Sequence, residues 1–218
     1  MVINMKIRKK QTRYETAEAF KDTVRQCFED RSDVKNIIIE AKDIENFTSG
    51  RVDFVNCKFN GCRFTNCNFN NADFTDCVFF DCDISNAHFN ETAFLRVSFE
   101  GCKCIGTDFT QTLIGKSVFK NSILTYANFS NSGIKDTVFS KCDFLRGAVS
   151  DCNIVKTVFD GCKLEKADFS GTKLEGIDLS TCDIDGIVLH GYELEGATVD
   201  VSQLLTLSHF LGVKIKKF

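Results

Sequence analysis

Twelve cysteines and three histidines are the side chains of this 218-residue sequence best suited to chemistry, because they could form disulfides, bind zinc or act as nucleophiles and bases. Structural zinc sites usually combine two Cys-x-x-Cys motifs, and the sequence contains none. His88, His190 and His209 are scattered, and no HExxH, GxSxG or glycine-rich phosphate loop is present. We therefore expect no metal, no cofactor and no catalytic residue, and we predict that the protein is not an enzyme.

The cysteines follow a regular spacing that indicates a structural role. From residue 52 to residue 201 the chain divides into 30 consecutive pentapeptides without insertion, and ten of the twelve cysteines occupy the first position of a unit. The third residue is always apolar, with Phe at sixteen positions. A period of five matches neither a helix nor a strand. One large and one small side chain per unit can fill a narrow column only if successive coils stack, as they do in a solenoid.

The units resemble the consensus of the pentapeptide-repeat family, most closely in CNFNNADF at 67–74 and ADFSG at 167–171. The resemblance covers residues 52–201 and implies an all-β solenoid, a right-handed quadrilateral β-helix with four pentapeptides per coil. Residues twenty apart then stack. This arrangement predicts an aromatic ladder in the core, made of Phe59, Phe79, Phe99, Phe119, Phe139 and Phe159.

The N-terminal segment predicts a helix that covers the open end of the first coil. Ala17, Phe20, Val24 and Cys27 lie on one face of a helix within residues 14–28. A helix that binds a partner is the alternative. We divide the chain into a basic tail and capping helix at 1–33, a β-helix at 34–201, and a C-terminal helix and tail at 202–218.

The C-terminal segment predicts a second helix, capped by Asp200 or Ser202 and running to about residue 211. The last residues, 213–218, alternate like a strand. The apolar side chains of this helix cover more than the one face needed to close the shaft, and exposed apolar patches often mark interfaces. We therefore predict a homodimer through this helix, with an interface formed by Leu204, Leu205, Leu207, Phe210 and Leu211.

The ending GATVDVSQLLTLSHFLGVKI resembles the C-terminal module of the quinolone-resistance pentapeptide proteins of the Qnr and MfpA type. That resemblance implies a dimeric rod that mimics B-form DNA and occupies the DNA-binding surface of a type II topoisomerase, DNA gyrase or topoisomerase IV. The register from 52 to 201 lacks the projecting loops of many such proteins. A generic scaffold for another protein partner is therefore the alternative function.

Charge is distributed unevenly along and around the predicted shaft. Residues 51–200 contain 21 Asp and Glu against 14 Lys and Arg, a net charge of −7. One predicted face, built from units 67–71 to 187–191, has no Lys or Arg and carries Glu91, Asp108, Asp151 and Asp168. We identify these four residues as a candidate acidic interaction face for a basic groove of a protein. The alternative is that Asp and Asn simply suit the corners of the coil.

The same charge balance argues against direct nucleic-acid binding. The first ten residues are basic but are not followed by an apolar run of signal-peptide length, and no stretch reaches the length of a membrane span. We therefore predict a cytoplasmic protein without membrane contact. Disulfide frameworks belong mainly to secreted chains, so we expect the thiols to be free.

Overall fold

Two parallel sheets form two sides of a long shaft. The structure, a computed structural model, describes residues 11–211 and residue 216, without the side chains of His209 and Leu211. The eight-stranded sheet contains β1 (Thr12–Tyr14), β3 (Ile37–Glu40), β5 (Lys58–Asn60), β7 (Val78–Phe80), β9 (Ser98–Glu100), β11 (Val118–Lys120), β13 (Val138–Ser140) and β15 (Val158–Asp160). The seven-stranded sheet contains β2 (Val34–Lys35), β4 (Phe54–Val55), β6 (Phe74–Thr75), β8 (Ala93–Leu95), β10 (Leu113–Gly115), β12 (Gly133–Lys135) and β14 (Asn153–Val155).

The register confirms four pentapeptides per coil. Each strand of the repeat region pairs with the strand twenty residues away, as Phe119 does with Phe99 and Phe139. The other two sides of the shaft are joined by single bridges at the same interval, including Arg63 to Asp83 and Asn68 to His88. The predicted all-β quadrilateral solenoid is therefore confirmed. Each side is one pentapeptide wide, and its outward residues are the second and fourth of each unit.

The corners of the coil explain the composition of the fifth position. The backbone turns there in the left-handed region, with φ between 48° and 61° at non-glycine corners such as Asn56, Asp81 and Lys156. Asn, Asp and Gly adopt this conformation most easily. Proline, with φ near −65°, cannot. The complete absence of proline from the chain is consistent with this geometry.

The third residues of the units fill the interior. The six rings of the predicted ladder stack on one another with centroid separations of 4.6 to 5.2 Å. The first residues pack beside them. A Cys, Ser or Thr at this position can donate a hydrogen bond to a carbonyl of the previous coil: the Cys82 thiol donates to the Phe59 carbonyl, and the Ser122 hydroxyl donates to the Phe99 carbonyl. This shared bond explains why Cys, Ser and Thr exchange freely at the first position.

The N-terminal end is closed by α1 (Ala17–Asp30), as predicted. Thr16 caps this helix through its side chain, and Arg31 ends it with a φ of 52°. Phe20 is fully buried, and its ring lies 6.1 to 6.4 Å from the rings of Phe47, Phe54, Phe59 and Phe64. Strand β1 precedes α1 and extends the eight-stranded sheet by pairing with β3. The sequence analysis did not predict this strand.

The predicted C-terminal helix is present, but the type of helix changes along its length. Only α2 (Leu204–Leu207) is α-helical, and 3-10 turns flank it at Val201–Gln203 and Ser208–Leu211. Asp200 caps the segment, as one of the two predicted alternatives, and forms a reciprocal capping box with Gln203. The predicted strand at 213–218 and the basic tail at 1–10 lie outside the described residues. No helix among the described residues has both the length and the hydropathy needed to span a bilayer.

Candidate interaction surfaces

The predicted acidic residues lie on one side of the shaft, which we call the acidic face (units 67–71 to 187–191). Asp108 and Asp168 occupy second positions, and both belong to one column of bridged residues that also contains His88. Three coils separate Asp108 from Asp168, so they lie about 14 Å apart along the shaft at the spacing of paired strands. Duplex DNA carries about one charge per 1.7 Å. The face therefore has the sign of DNA at a much lower charge density.

Asp108 and Asp168 also stabilise the local turn. Oδ1 of Asp108 accepts hydrogen bonds from the backbone N–H and the hydroxyl of Thr110, at 2.9 and 2.7 Å. Oδ1 of Asp168 accepts from the Ser170 N–H at 2.9 Å. Asn128 makes the same turn bond to Ser130 with its amide oxygen. Because an amide oxygen suffices for the turn, the charge of these two aspartates is not required by the fold.

Glu91 and Asp151 occupy corners between the acidic face and the seven-stranded sheet. Both are exposed and adopt left-handed backbone angles, with φ of 57° and 53°. The Asp151 carboxylate lies over Gly171 on the next coil, where an added Cβ would collide with Oδ1. His88 Nδ1 lies 3.7 Å from Asp108 Oδ2, close enough for an ion pair when the imidazole is protonated. This is the only ion pair of the four carboxylates with described residues.

The C-terminal apolar residues divide into an inner and an outer set. Leu207 is 8% exposed and belongs to the core, and Phe210 packs against that core. Leu204 and Leu205 are 53% and 68% exposed, and Val201 is 80% exposed. The side chain of Leu211 lies outside the described part of the chain. The free apolar surface is therefore narrower than predicted, because Leu207 already closes the end of the shaft.

Two polar side chains that the sequence analysis did not single out complete this end. Nε2 of Gln203 donates to the carbonyls of Leu179 and Cys182, at 2.9 and 2.7 Å, and thereby satisfies backbone groups of the last coil. Glu193 is fully buried, although it occupies a second position that normally faces outward. A 3-10 turn at Tyr192–Leu194 directs it inward. The only sequence signal is Tyr192, the one aromatic residue at the first position of a unit.

The Glu193 carboxylate accepts hydrogen bonds from backbone N–H groups near the end of the last coil. Its Oε1 accepts from the Gly171 N–H at 2.9 Å, and its Oε2 accepts from the His190 N–H at 2.9 Å. The ring nitrogen Nδ1 of His190 lies 2.9 Å from Oε1. Burial alone would raise the pKa of Glu193, but these hydrogen bonds outweigh it and lower the pKa to about 2. The group is therefore a structural carboxylate, ionised at neutral pH.

The cysteines are poorly suited to act as nucleophiles. All twelve lie within the described residues and are free, and eleven are buried. Hydrogen bonding to Cys102 raises the pKa of the Cys82 thiol to about 12, and burial raises the pKa of Cys67 and Cys152 to about 11. The thiolate is the reactive form. Among residues 11–211 and 216, no group of three or more His, Cys, Asp or Glu could hold a metal ion.

These features define a class of protein, a solenoid of stacked pentapeptide coils. The family model described as a pentapeptide repeat region matches residues 52–129 and 123–199. The chain belongs to the pentapeptide-repeat family. A comparison with curated proteins finds no match.

Solved structures of other pentapeptide-repeat proteins resemble the chain. A trypsin-treated form of QnrB1, a plasmid-mediated fluoroquinolone resistance protein, is 21% identical over 85% of this chain and 92% of its own, with a TM-score of 0.36. HetL of the cyanobacterium Nostoc, involved in the regulation of heterocyst differentiation, is 12% identical over 80% and 92%, with a TM-score of 0.34. A protein of the Arabidopsis thaliana thylakoid lumen is 15% identical over 72% and 88%, with a TM-score of 0.26. At these values the likeness concerns the fold alone.

Proposed function

We propose that this chain is a non-enzymatic, DNA-mimicking rod that binds a type II topoisomerase, DNA gyrase or topoisomerase IV, and reduces susceptibility to quinolones. The observation that carries the proposal is the acidic face, which presents four carboxylates and no Lys or Arg over units 67–71 to 187–191. A face of one sign attracts a basic nucleic-acid groove over a long range and orients the encounter. The small number of charges predicts an association that weakens with salt, but less steeply than the binding of DNA does.

A homodimer is the second part of the proposal. We assign its contact to Leu204 and Leu205, with Val201 beside them, because these side chains are exposed while Leu207 is buried. A two-fold contact buries the same patch on both subunits. Joining two shafts end to end would double the number of carboxylates along one rod. A doubled rod also matches the two-fold symmetry of a type II topoisomerase.

A protein-binding scaffold with a different partner is the second candidate. It is favoured by exposed apolar side chains on the seven-stranded sheet, above all Leu113, which is 67% exposed. A surface that imitates the phosphate backbone of DNA does not require an exposed leucine. The two candidates therefore assign function to different sides of the shaft.

The test is a supercoiling assay with purified DNA gyrase, with and without a quinolone. We expect the wild-type protein to alter supercoiling or its inhibition by the drug. A variant with Glu91→Gln, Asp108→Asn, Asp151→Asn and Asp168→Asn should lose the effect, because it keeps the turns and removes the charge.

A matched variant neutralises four carboxylates on another side of the shaft, with Asp83→Asn, Asp143→Asn, Asp183→Asn and Asp185→Asn. Three of these aspartates make the same turn bonds as Asp108 and Asp168. We expect this control to behave like the wild type. A wild-type protein without any effect on gyrase would leave the scaffold as the surviving candidate.

A further inference from the structure

The outward side of the seven-stranded sheet combines large, small and charged residues. We call it the sheet face; it lies over β2 to β14 and is bordered by the corner residues on either side. Leu113 on β10 is 67% exposed although it lies within a strand. Beside it is a shallow depression of about 410 Å³. The face therefore has both a ridge and a gap.

The sizes of the outward side chains alternate in opposite phase in the two columns of the sheet face. On β8, β10 and β12 the second-position column consists of Ala93, Leu113 and Gly133. On the same strands the fourth-position column consists of Leu95, Gly115 and Lys135. At each of these three levels, a small residue in one column therefore accompanies a larger residue in the other.

Gly115 forms the gap of the fourth-position column, and the backbone does not require glycine there. Its φ does not lie in the left-handed region, and an added Cβ would lie 3.6 Å from Leu95 Cδ1, an ordinary contact. A larger side chain could therefore occupy this position in a single chain. Glycine inside a strand weakens the sheet and often marks a place where another backbone or ligand approaches closely.

The two borders of the sheet face carry matching sequences of charge. From the coil of β8 to the coil of β14, the corners towards the acidic face are Glu91, Gln111, Asn131 and Asp151. The corners towards the eight-stranded sheet are Arg96, Lys116, Asp136 and Lys156. The first border is negative or neutral wherever the second is positive, and it is neutral at the level where the second is negative.

We propose that a second copy of this chain covers the sheet face, in a two-fold contact whose axis runs parallel to the shaft. Such an axis keeps every coil at its level and places the second-position column of one copy opposite the fourth-position column of the other. Leu113 of each copy then enters the gap over Gly115 of the other. The match is poorest at the level of β14, where Asn153 faces Val155.

The same axis brings opposite borders of the two copies together. Asp151 then faces Lys156 of the second copy, Glu91 faces Arg96, and the two levels between them pair an amide with a charged group. Lys135 can extend over β12 of the second copy towards Asp151 of that copy. Over the seven coils from 31–36 to 151–156, no carboxylate faces a carboxylate and no cation faces a cation. Complementary charge of this kind fixes the register of an interface.

The charges also distinguish this contact from one in which the two shafts run in opposite directions. A two-fold axis parallel to the strands places each column opposite itself. Two antiparallel arrangements seat Leu113 over a small residue of its own column, Ala93 or Gly133, and both bring like charges together at the borders. Seating over Gly133, for example, places Glu91 opposite Asp151 of the second copy, and the axis repeats this repulsion.

The size of the sheet face predicts a weak contact. Seven strands about 4.8 Å apart and a side of about five residues at 3.3 Å each give roughly 550 Å² on each copy. Standard interfaces bury about 800 Å² per partner, so the association should depend on concentration. This contact is independent of the end-to-end contact proposed through Leu204 and Leu205. Where both form, the chain would assemble beyond a dimer.

Sedimentation velocity of the full chain from about 1 to 100 μM tests the contact. The starting protein carries Leu204→Glu and Leu205→Glu, which remove the end-to-end contact, and we expect it to dimerise reversibly. Adding Leu113→Glu, or Gly115→Val to fill the gap at an ordinary backbone angle, should weaken dimerisation at least about tenfold. Adding Ile123→Glu should not, because Ile123 is a 38% exposed second-position residue on the opposite side of the shaft.

An exchange of charges at the border tests which columns meet. Lys156→Glu places a carboxylate opposite Asp151 of the second copy and should weaken dimerisation at least about threefold. Adding Asp151→Lys to the same chain should restore it. The matched control is Lys141→Glu, at a corner away from the sheet face. In the antiparallel contact over Gly133, Lys156 would face Arg96, so Lys156→Glu would strengthen dimerisation.

Three results would overturn the proposal. They are a starting protein that stays monomeric up to about 100 μM, equal dimerisation of the Leu113→Glu and Ile123→Glu variants, and failure of Asp151→Lys to restore what Lys156→Glu removes. The assay contains no topoisomerase, so its outcome does not depend on the function proposed for the acidic face, although Glu91 and Asp151 belong to both surfaces.

Discussion

The two ends of the shaft are closed in different ways. At the N-terminal end, α1 inserts Phe20 among four other Phe rings, and β1 continues the sheet. At the C-terminal end, one turn of α-helix and two polar side chains, Glu193 and Gln203, satisfy the last coil, and aliphatic side chains remain exposed. The ring that closes the first end is therefore fully buried, whereas aliphatic side chains at the second end remain exposed. The predictions below test this difference.

The largest effect is expected at the N-terminal end. Phe20→Ala removes a fully buried ring, and such truncations cost about 3–5 kcal/mol because a cavity remains. Phe28→Ala, on the same helix at a 54% exposed ring, should cost less than about 1.5 kcal/mol. Urea denaturation measures the free energy of unfolding of both variants. Equal costs would mean that α1 does not plug the first coil.

At the C-terminal end, Glu193→Gln should cost about 2 kcal/mol at neutral pH, the scale of hydrogen bonds to a charged group. Because folding lowers the pKa of Glu193 from 4.5 to about 2, its stabilisation is present above pH 4.5. It is lost as the pH falls towards 2. The stability difference between wild type and Glu193→Gln should shrink over that range.

Gln203→Ala should have a smaller effect, about 1–2 kcal/mol, because it leaves the Leu179 and Cys182 carbonyls without their donor. Ser208→Ala removes an exposed hydrogen bond to the Leu205 carbonyl and is expected to change stability by less than about 0.5 kcal/mol. Thermal unfolding monitored by circular dichroism distinguishes the two. If Gln203→Ala left the stability unchanged, the last coil would not depend on the hydrogen bonds of Gln203.

The smallest change in the free energy of unfolding is expected for the exposed side chains of Leu204 and Leu205. Leu204→Glu with Leu205→Glu should change the free energy of unfolding by less than about 0.5 kcal/mol and convert a dimer into a monomer in light scattering. Leu207→Ala should instead cost about 2–5 kcal/mol, since that side chain is buried. A wild-type protein that is monomeric at micromolar concentration would refute the dimer.

The parts of this molecule that follow the repeat could be predicted from the sequence. The residues that depart from the repeat could not. The unbroken period of five identifies the side chains that face the interior, and the family resemblance implies four units per coil, so the ladder from Phe59 to Phe159 could be assigned before the structure. The inward orientation of Glu193 could not be predicted, because a second position normally faces outward. Only the 3-10 turn at Tyr192–Leu194 directs this side chain inward. A cap at Asp200 or Ser202 was predictable from residue type, whereas the burial of Leu207 in the core was not, because apolar side chains surround most of this helix.

The outward side of the seven-stranded sheet around the exposed Leu113 lies between these cases. Leu113, Gly115 and Gly133 are visible in the sequence, and the period places them on neighbouring coils. The sequence does not show which of its glycines the backbone requires. A glycine at a corner is explained by the positive φ of that position, whereas a glycine within a strand is not. The interior of a repeat is fixed by its period, but the chemistry of each outward side is not.

Competition with DNA for purified gyrase tests the central claim most directly. The fluorescence anisotropy of a labelled DNA duplex bound to gyrase is followed while this protein is added, at low and at physiological salt. The account predicts that the wild type displaces the duplex, more effectively at physiological salt, because the more densely charged DNA loses more affinity for gyrase as salt rises. It also predicts that the variant neutralised at Glu91, Asp108, Asp151 and Asp168 needs at least about tenfold more protein. A wild-type protein that leaves the duplex bound, or a neutralised variant that displaces it equally well, would contradict the account.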